Sequence, residues 1–386
     1  MVPLSVAVSN GKIVDKPFQL LIKPVGADCN LRCAYCFYLP TAHLYPDATP
    51  KRMPDDILET ITGGLLEHRF PQTVFAWQGG EPTLAGLDFF RRVVACEQRL
   101  GKGGQSVGNT LQTNGVLLDD EWCRFLRQYN FLIGLSLDGP QEIHDLHRRA
   151  PGGRSAWELA MNAARLMDKH EVLYNILCVI HRDNAGMGAD LARWFVQQGF
   201  RHLQFIPCVE PGQPLNVPPE AYGAFLCDVF DYWIREGVER VSIRDFEALV
   251  AACIHHPAGL CTYGRKCNHY LVVEHNGDVY PCDFFVREEW RLGNVMEHPL
   301  EWFMRCETHK RFAKIKHDVP ACAGCPWRSL CNGGCIKDRM AGKGASSPSP
   351  LCPAYKMFFR HAEPRLRELA RRVAKRQPGK PASPSQ

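Results

Sequence analysis

Residues 29–38 read CNLRCAYCFY, and this stretch decides how the rest of the chain is read. Cys29, Cys33 and Cys36 are separated by three and two residues, so three sulfurs share one short loop. Three such thiolates suit a [4Fe–4S] cubane with one iron left open. A zinc ion completed by a distant histidine, or ordinary buried thiols, would fit the same spacing. The loop follows residues 17–24 (PFQLLIKP), an apolar run that reads as a strand. Further strands are expected at 73–77, 110–113, 131–137, 172–180 and 202–206, with a weaker one at 241–244. Apolar residues at three- and four-residue spacing predict helices over 54–68, 87–100, 119–129, 156–169, 187–198 and 219–236. About six strand–helix repeats predict a parallel α/β sheet, open or curled into a full or partial barrel.

Composition narrows the class. The 386 residues are 45% hydrophobic and 23% charged, which excludes a disordered or fibrous chain. The formal charge of +5, from 46 Lys+Arg against 41 Asp+Glu, is too small to imply a nucleic-acid partner. No window reaches the roughly 18 uninterrupted apolar residues of a membrane span, so no membrane association is expected. The first residues lack the basic start, apolar core and cleavage site of a secretion signal. A cytoplasmic location is expected, where disulfides are rare. Eighteen cysteines then point to metal or cluster chemistry.

The regular alternation stops near residue 256. Residues 270–281 (YLVVEHNGDVYP) predict a β-hairpin turning at Asn276-Gly277. Cys261, Cys267 and Cys282 come first, then Cys322, Cys325, Cys331 and Cys335, then Cys352. By spacing alone, two zinc sites and two iron–sulfur clusters fit these eight thiols equally. The other seven cysteines (96, 123, 178, 208, 227, 253 and 306) sit singly in apolar stretches and are expected to be core residues. Residues 341–350 read as a flexible loop, 353–376 as a helix rich in Arg and Lys, and the last ten residues as a disordered tail.

The CxxxCxxC loop with a tyrosine before its last cysteine resembles the signature of the radical S-adenosylmethionine (SAM) superfamily. The resemblance is strengthened by Gln78-Gly79-Gly80-Glu81-Pro82, a GGEP-type sequence after the second strand. It implies a partial (β/α)6 barrel, a [4Fe–4S] cluster on Cys29, Cys33 and Cys36, and SAM on the open iron. The eight later cysteines resemble the SPASM extension of peptide-modifying relatives. That likeness implies a further [4Fe–4S] cluster on Cys261, Cys267, Cys282 and Cys335, and another on Cys322, Cys325, Cys331 and Cys352. The implied organisation is a radical SAM core over 1–255, a SPASM domain over 256–365, and a basic helix end and tail over 366–386. Three such clusters would carry roughly −5 in sum, which offsets the formal +5.

The segments CNLRCAYCFY, WQGGEPTLAG, LQTNGVLL, GLSLDGPQEIHDLHR and GDVYPCDFFV resemble the anaerobic sulfatase-maturating enzymes over residues 17–360. That family oxidises a cysteine or serine in the motif Cys/Ser-x-Pro-x-Arg to Cα-formylglycine, by way of a 5′-deoxyadenosyl radical that abstracts a Cβ hydrogen. The resemblance implies that Tyr35 lies against adenine and that Gly79, Gly80 and Glu81 contact the methionine part of SAM. Ser136 and Arg148 would bind its polar groups, and Val209 would touch the adenine. Asp283 would be the general base, with Gln78 and Tyr38 lining the substrate pocket. Implied partners are an unfolded or nascent sulfatase polypeptide and a low-potential electron donor such as flavodoxin or ferredoxin. Another SPASM enzyme that crosslinks peptides is the alternative. Such enzymes usually carry an N-terminal peptide-recognition domain, and about 28 residues before Cys29 are too few for one. A zinc-stabilised module without catalysis is the alternative of another class.

Overall fold

The computed structural model describes residues 17–45, 51–256, 259–317 and 319–376. The expectations for the extreme N-terminus and the tail lie outside these residues. Each apolar run ahead of a turn becomes a strand of one sheet. β1 (Gln19–Ile22), β2 (Gln72–Trp77), β3 (Ser106–Thr113), β4 (Leu132–Ser136), β5 (Leu173–Ile180), β6 (His202–Pro207) and β7 (Ser242–Ile243) pair in chain order, all parallel. Helices Asp55–Glu67, Leu87–Leu100, Asp120–Gln128, Ala156–Lys169, Gly188–Gln197 and Pro219–Glu236 follow β1 to β6 in turn. Parallel neighbours require crossovers, and crossovers of one hand that never reverse direction keep the helices on one face and curl the sheet. The result is the partial (β/α)6 barrel.

The barrel is open, because β7 does not return to β1. The free edge of β1 instead takes β8 (Tyr270–Val273), again parallel. β9 (Asp278–Tyr280) and β10 (Gly293–Asn294) extend the sheet antiparallel beyond it. The hairpin expected over 270–281 therefore forms, with Gly277 at φ 85° in its turn. It does not stand apart: its first strand continues the barrel sheet across the expected boundary at 255/256.

The two faces of the sheet differ. On β2 the buried side chains Phe75 and Trp77 look toward the helices, where Trp77 meets Phe89 and Phe90 edge-on at 5.8 and 5.6 Å. The opposite face carries half-buried residues, among them Ala76, Thr110, Gln112 and Ser136, and forms the concave side of the sheet. A Cβ on Gly134 would overlap the Gln112 side chain, which lies across it to donate to Ser136 Oγ at 3.1 Å. Polar groups on a concave, incompletely packed face make a cleft suited to a ligand.

Local signals set the helix starts. Asp119 accepts from Trp122 N at 2.9 Å, and Ser155, in a Ser-x-x-Glu pattern, accepts from Glu158 N at 3.1 Å. The expected strand at 241–244 ends at Ile243, because Arg244 opens a helix, Arg244–Cys253, whose Phe246, Leu249 and Val250 recur at helical spacing. The C-terminal helix, Cys352–Arg376, packs on Pro219–Glu236 at Gly223, where Ala354 and Met357 approach closely. Part of its basic stretch forms a surface ion pair: Arg365 reaches Asp231 at 2.7 Å. Of the seven isolated cysteines, Cys96, Cys123, Cys178 and Cys208 are buried, whereas Cys227, Cys253 and Cys306 are only partly so. Among the described residues, no helix is long and apolar enough to cross a membrane.

Candidate active site at the carboxyl ends of the strands

The three-cysteine loop leaves the end of β1 and is pinned on two sides. Arg32 N donates to Arg149 O at 3.0 Å and Ala34 N to His147 O at 2.9 Å, on the β4 side. Gly80 N donates to Gly26 O at 2.9 Å and Glu81 N to Asp28 O at 2.8 Å, on the β2 side. Burial pushes the Cys29 thiol up to about 12 and Cys33 to about 11, and the neighbouring cysteines add to both. Cys36 is raised for the same first reason. Three thiols on one loop, Cys29 exposed and Cys33 and Cys36 partly buried, are poor sites for free thiolates and good ones for a shared cationic centre that an outside ligand can reach. No disulfide joins any of the eighteen cysteines. The donor set fits a cluster held by three thiolates.

Gly79 and Gly80 leave room for the cysteine loop. Gly79 has φ 116°, and a Cβ there would sit 2.6 Å from Gly26 O. A Cβ on Gly80 would overlap the carbonyls of Ala27 and Asp28. Glu81 is buried and its carboxylate is used within the fold. Oε1 accepts from Thr83 N, Thr83 Oγ1 and Thr113 Oγ1 at 3.1, 2.7 and 2.8 Å, and Oε2 from Asn114 N at 2.7 Å. It thereby ties the β2 turn to the end of β3.

Beyond β4 lies a buried ion pair. Arg148 Nε donates to Asp138 Oδ2 at 2.8 Å and Nη2 to Oδ1 at 3.2 Å. Tyr35 Oη donates to the same carboxylate, and Val179 N donates to it at 2.9 Å. Burial opposes the Asp138 charge, but the Arg148 guanidinium outweighs it and holds the carboxyl at about 2. Arg148 Nη1 also lies 4.0 Å from Cys33 Sγ. The Tyr35 ring stacks on His181 at 5.8 Å. Val209, just past β6, is buried, and its carbonyl accepts from Lys337 Nζ at 2.8 Å. Tyr35, Ser136, Arg148 and Val209 thus gather at the ends of β4 to β6 beside the cysteine loop.

Asp283 is 3% exposed and central to a second network. Tyr38 Oη donates to its Oδ2, and Gln78 Nε2 reaches Oδ2 at 3.3 Å and Tyr38 Oη at 3.1 Å. Lys23 Nζ contacts Asp283 Oδ1 and Glu274 Oε1, both at 2.8 Å. The register explains this meeting. Ile22 of β1 is level with Trp77 of β2 and Val273 of β8, so Gln78, Lys23 and Glu274 emerge side by side at the next position. Burial works against the Lys23 charge, but the two carboxylates outweigh it and raise the ammonium above its ordinary value. Lys23 and Glu274 were not singled out from the sequence. Their signal was a charged residue closing an otherwise apolar strand, in LLIK and LVVE.

The later cysteines gather in two places. Cys322, Cys325, Cys331 and Cys352 line one cavity with Gly333 and Gly334. Cys335 and Cys261 lie within Coulombic reach of Cys282, and Cys261 of Cys267. Burial raises Cys335 to about 12 and Cys331 to about 11, again the state that a coordinated metal relieves. Tyr270 Oη donates to Cys282 Sγ at 3.1 Å.

Comparison with known proteins agrees with this geometry. Residues 24–195 match the radical SAM superfamily, and residues 261–326 match an iron–sulfur cluster-binding domain. A serine-type anaerobic sulfatase-maturating enzyme of Bacteroides thetaiotaomicron is 35% identical over 374 residues, covering 90% of each chain. A cysteine-type enzyme of Clostridium perfringens is 36% identical over 367 residues, covering 92% of this chain and 99% of its own. The chain belongs to the anaerobic sulfatase-maturating enzymes. A solved structure described as native anSMEcpe with bound AdoMet and Cp18Cys peptide superposes with a TM-score of 0.86 at 36% identity, covering 93% of this chain and all of that one. As a radical SAM enzyme of this family, the chain is one that uses [4Fe–4S] clusters and SAM. Both serine- and cysteine-type members match it to the same degree.

Proposed function

We propose that this protein oxidises the cysteine or serine of a sulfatase Cys/Ser-x-Pro-x-Arg motif to Cα-formylglycine, in an unfolded or nascent sulfatase polypeptide. The observation that carries the proposal is Asp283, a buried carboxylate held by Tyr38, Gln78 and Lys23 within Coulombic reach of Cys36. Cys29, Cys33 and Cys36 would hold the SAM-binding cluster, and the two sets of four cysteines the auxiliary clusters. When bound, these groups supply the one-electron chemistry that removes a hydrogen atom from the substrate Cβ and carries an electron away.

The chain's own residues do the rest. Asp283 Oδ2 takes the proton that the oxidised Cβ–S–H or Cβ–O–H unit releases; serine then gives the aldehyde directly, and cysteine gives a thioaldehyde that water hydrolyses to the aldehyde with loss of hydrogen sulfide. Tyr38 and Gln78 aim Oδ2. Lys23, shared with Glu274, holds the other carboxylate oxygen of Asp283 in place. Tyr35, Gly79, Gly80, Glu81, Ser136, Arg148 and Val209 would form and brace the SAM cradle. A cytoplasmic location is proposed from the eighteen unpaired cysteines. A flavodoxin- or ferredoxin-type reductant is proposed as the electron donor.

The test is anaerobic reaction of the reconstituted protein with SAM, reductant and motif peptides bearing cysteine or serine. An aldehyde trapped on either peptide with a hydrazide is expected. Crosslinked peptide without aldehyde would overturn the reading.

A further inference from the structure

Between the two proposed auxiliary sites lie two cations that the scheme above does not use. Arg339 is fully buried and Lys316 is 3% exposed. Among the described residues, neither has a carboxylate within ion-pair distance. Both spend their donors on backbone carbonyls. Lys316 Nζ donates to Cys261 O at 3.1 Å, Thr262 O at 2.9 Å and Gly334 O at 2.6 Å. Arg339 donates from Nε to Gly333 O at 2.9 Å, from Nη2 to Lys316 O at 3.1 Å, and from Nη1 to Ile315 O and Ala345 O at 3.2 and 3.3 Å.

The segment they grip is Cys331-Asn-Gly-Gly-Cys335, which runs from one cysteine set to the other. Gly333 and Gly334 have φ 79° and 70°, and a Cβ on Gly333 would overlap the Arg339 guanidinium. The loop is thus folded around the cation. Arg339 lies within Coulombic reach of Cys322 and Cys331 in one set and of Cys267 and Cys335 in the other. Lys316 lies within reach of Cys267, Cys331 and Cys335.

A buried cation is strongly disfavoured unless an anion compensates it, and carbonyl dipoles do so only in part. A [4Fe–4S] cluster on four thiolates carries roughly −2 when oxidised and −3 after gaining one electron. We propose that Lys316 and Arg339 are the shared internal counter-charges of both auxiliary clusters, and that they set the clusters' reduction potentials. This rests on the cysteine assignment above. A fixed positive charge favours the more negative, reduced cluster and so raises its potential. One pair of cations between two clusters holds both couples in a range where each can accept an electron.

The test uses the full chain with Cys29, Cys33 and Cys36 changed to alanine, so that only the auxiliary clusters titrate. Iron and sulfide content comes first. About eight irons are expected, and an iron-free chain would sink the cysteine assignment itself. Potentials are then read by redox titration with electron paramagnetic resonance. Arg339→Gln and Lys316→Gln are expected to move both couples negative by about 59 mV or more, a tenfold change in the oxidised-to-reduced ratio. Arg339→Lys and Lys316→Arg are expected to stay near the parent. If the glutamine variants lose iron while the charge-keeping variants retain it, the counter-charge is again required. Unmoved potentials, or equal iron loss in both kinds of variant, would reduce the pair to loop braces and overturn the proposal.

Discussion

Asp283 receives side chains from the ends of two adjacent strands and from the cysteine loop, which allows chemistry and folding to be separated by substitution. Asp283→Asn keeps shape and most hydrogen bonds but cannot take a proton. Formylglycine yield per turnover is expected to fall by about 10²- to 10⁴-fold while iron content holds, as judged by peptide mass spectrometry; an unchanged rate would remove the base role. Lys23→Met should behave differently. It leaves Glu274 and Asp283 buried without their cation, which costs about 3–5 kcal/mol. Anaerobic denaturant titration reads that loss, and an unshifted midpoint would mean that the two acids are otherwise compensated. At this scale the sequence was legible where a motif surrounds the residue, as in PCDFF. Lys23 was not, because a single charge after an apolar run looks the same whether it meets water or two carboxylates. Only the parallel register of β8, β1 and β2 distinguishes these cases.

The elements show why the glycines of the GGEP turn matter. Gly80 has backbone on its Cα side, from a loop more than fifty residues earlier, and neither chain can give way. Gly80→Ala is therefore expected to displace the cysteine loop and lose about four of about twelve irons, leaving the auxiliary sites filled. Gly103→Ala, in a turn with open space around the new methyl, should keep them all. Iron analysis and cluster spectra decide, and full retention in the Gly80 variant would contradict the close packing. Strand and helix positions were readable because periodicity is local. The pairing of β8 with β1 was not, since nothing in YLVVE states which sheet edge it will find. The turn Asn276-Gly277 predicted the hairpin but not its neighbour.

Across the whole molecule, acid stability follows from groups beyond the end of β4. Burial holds His144 at about 4, below its usual 6.5, and its Nδ1 accepts from Asp138 N at 3.2 Å. The unfolded chain therefore binds the extra proton first. His144's contribution is complete above about pH 6.5 and is lost as pH falls toward 4. Asp138 at about 2, against a usual 3.8, extends the loss from about pH 4 down to 2. Anaerobic unfolding at stepped pH should show the first decline, and His144→Gln should flatten it; an identical slope in the variant would assign the decline elsewhere. At this scale the cysteine count already separated cluster chemistry from a disulfide framework. The buried cations between the cysteine sets were hidden, because Lys316 and Arg339 look like surface charges until the loops close around them.

The central claim is that a hydrogen atom leaves the substrate Cβ and the product is an aldehyde. A motif peptide with deuterium on the cysteine Cβ tests both at once, by mass spectrometry of peptide and nucleoside after anaerobic turnover. The account predicts formylglycine in the peptide and deuterium in 5′-deoxyadenosine. With both Cβ positions labelled, formylglycine keeps one deuterium; deuterium-free 5′-deoxyadenosine, alongside a peptide that keeps both, would contradict the account.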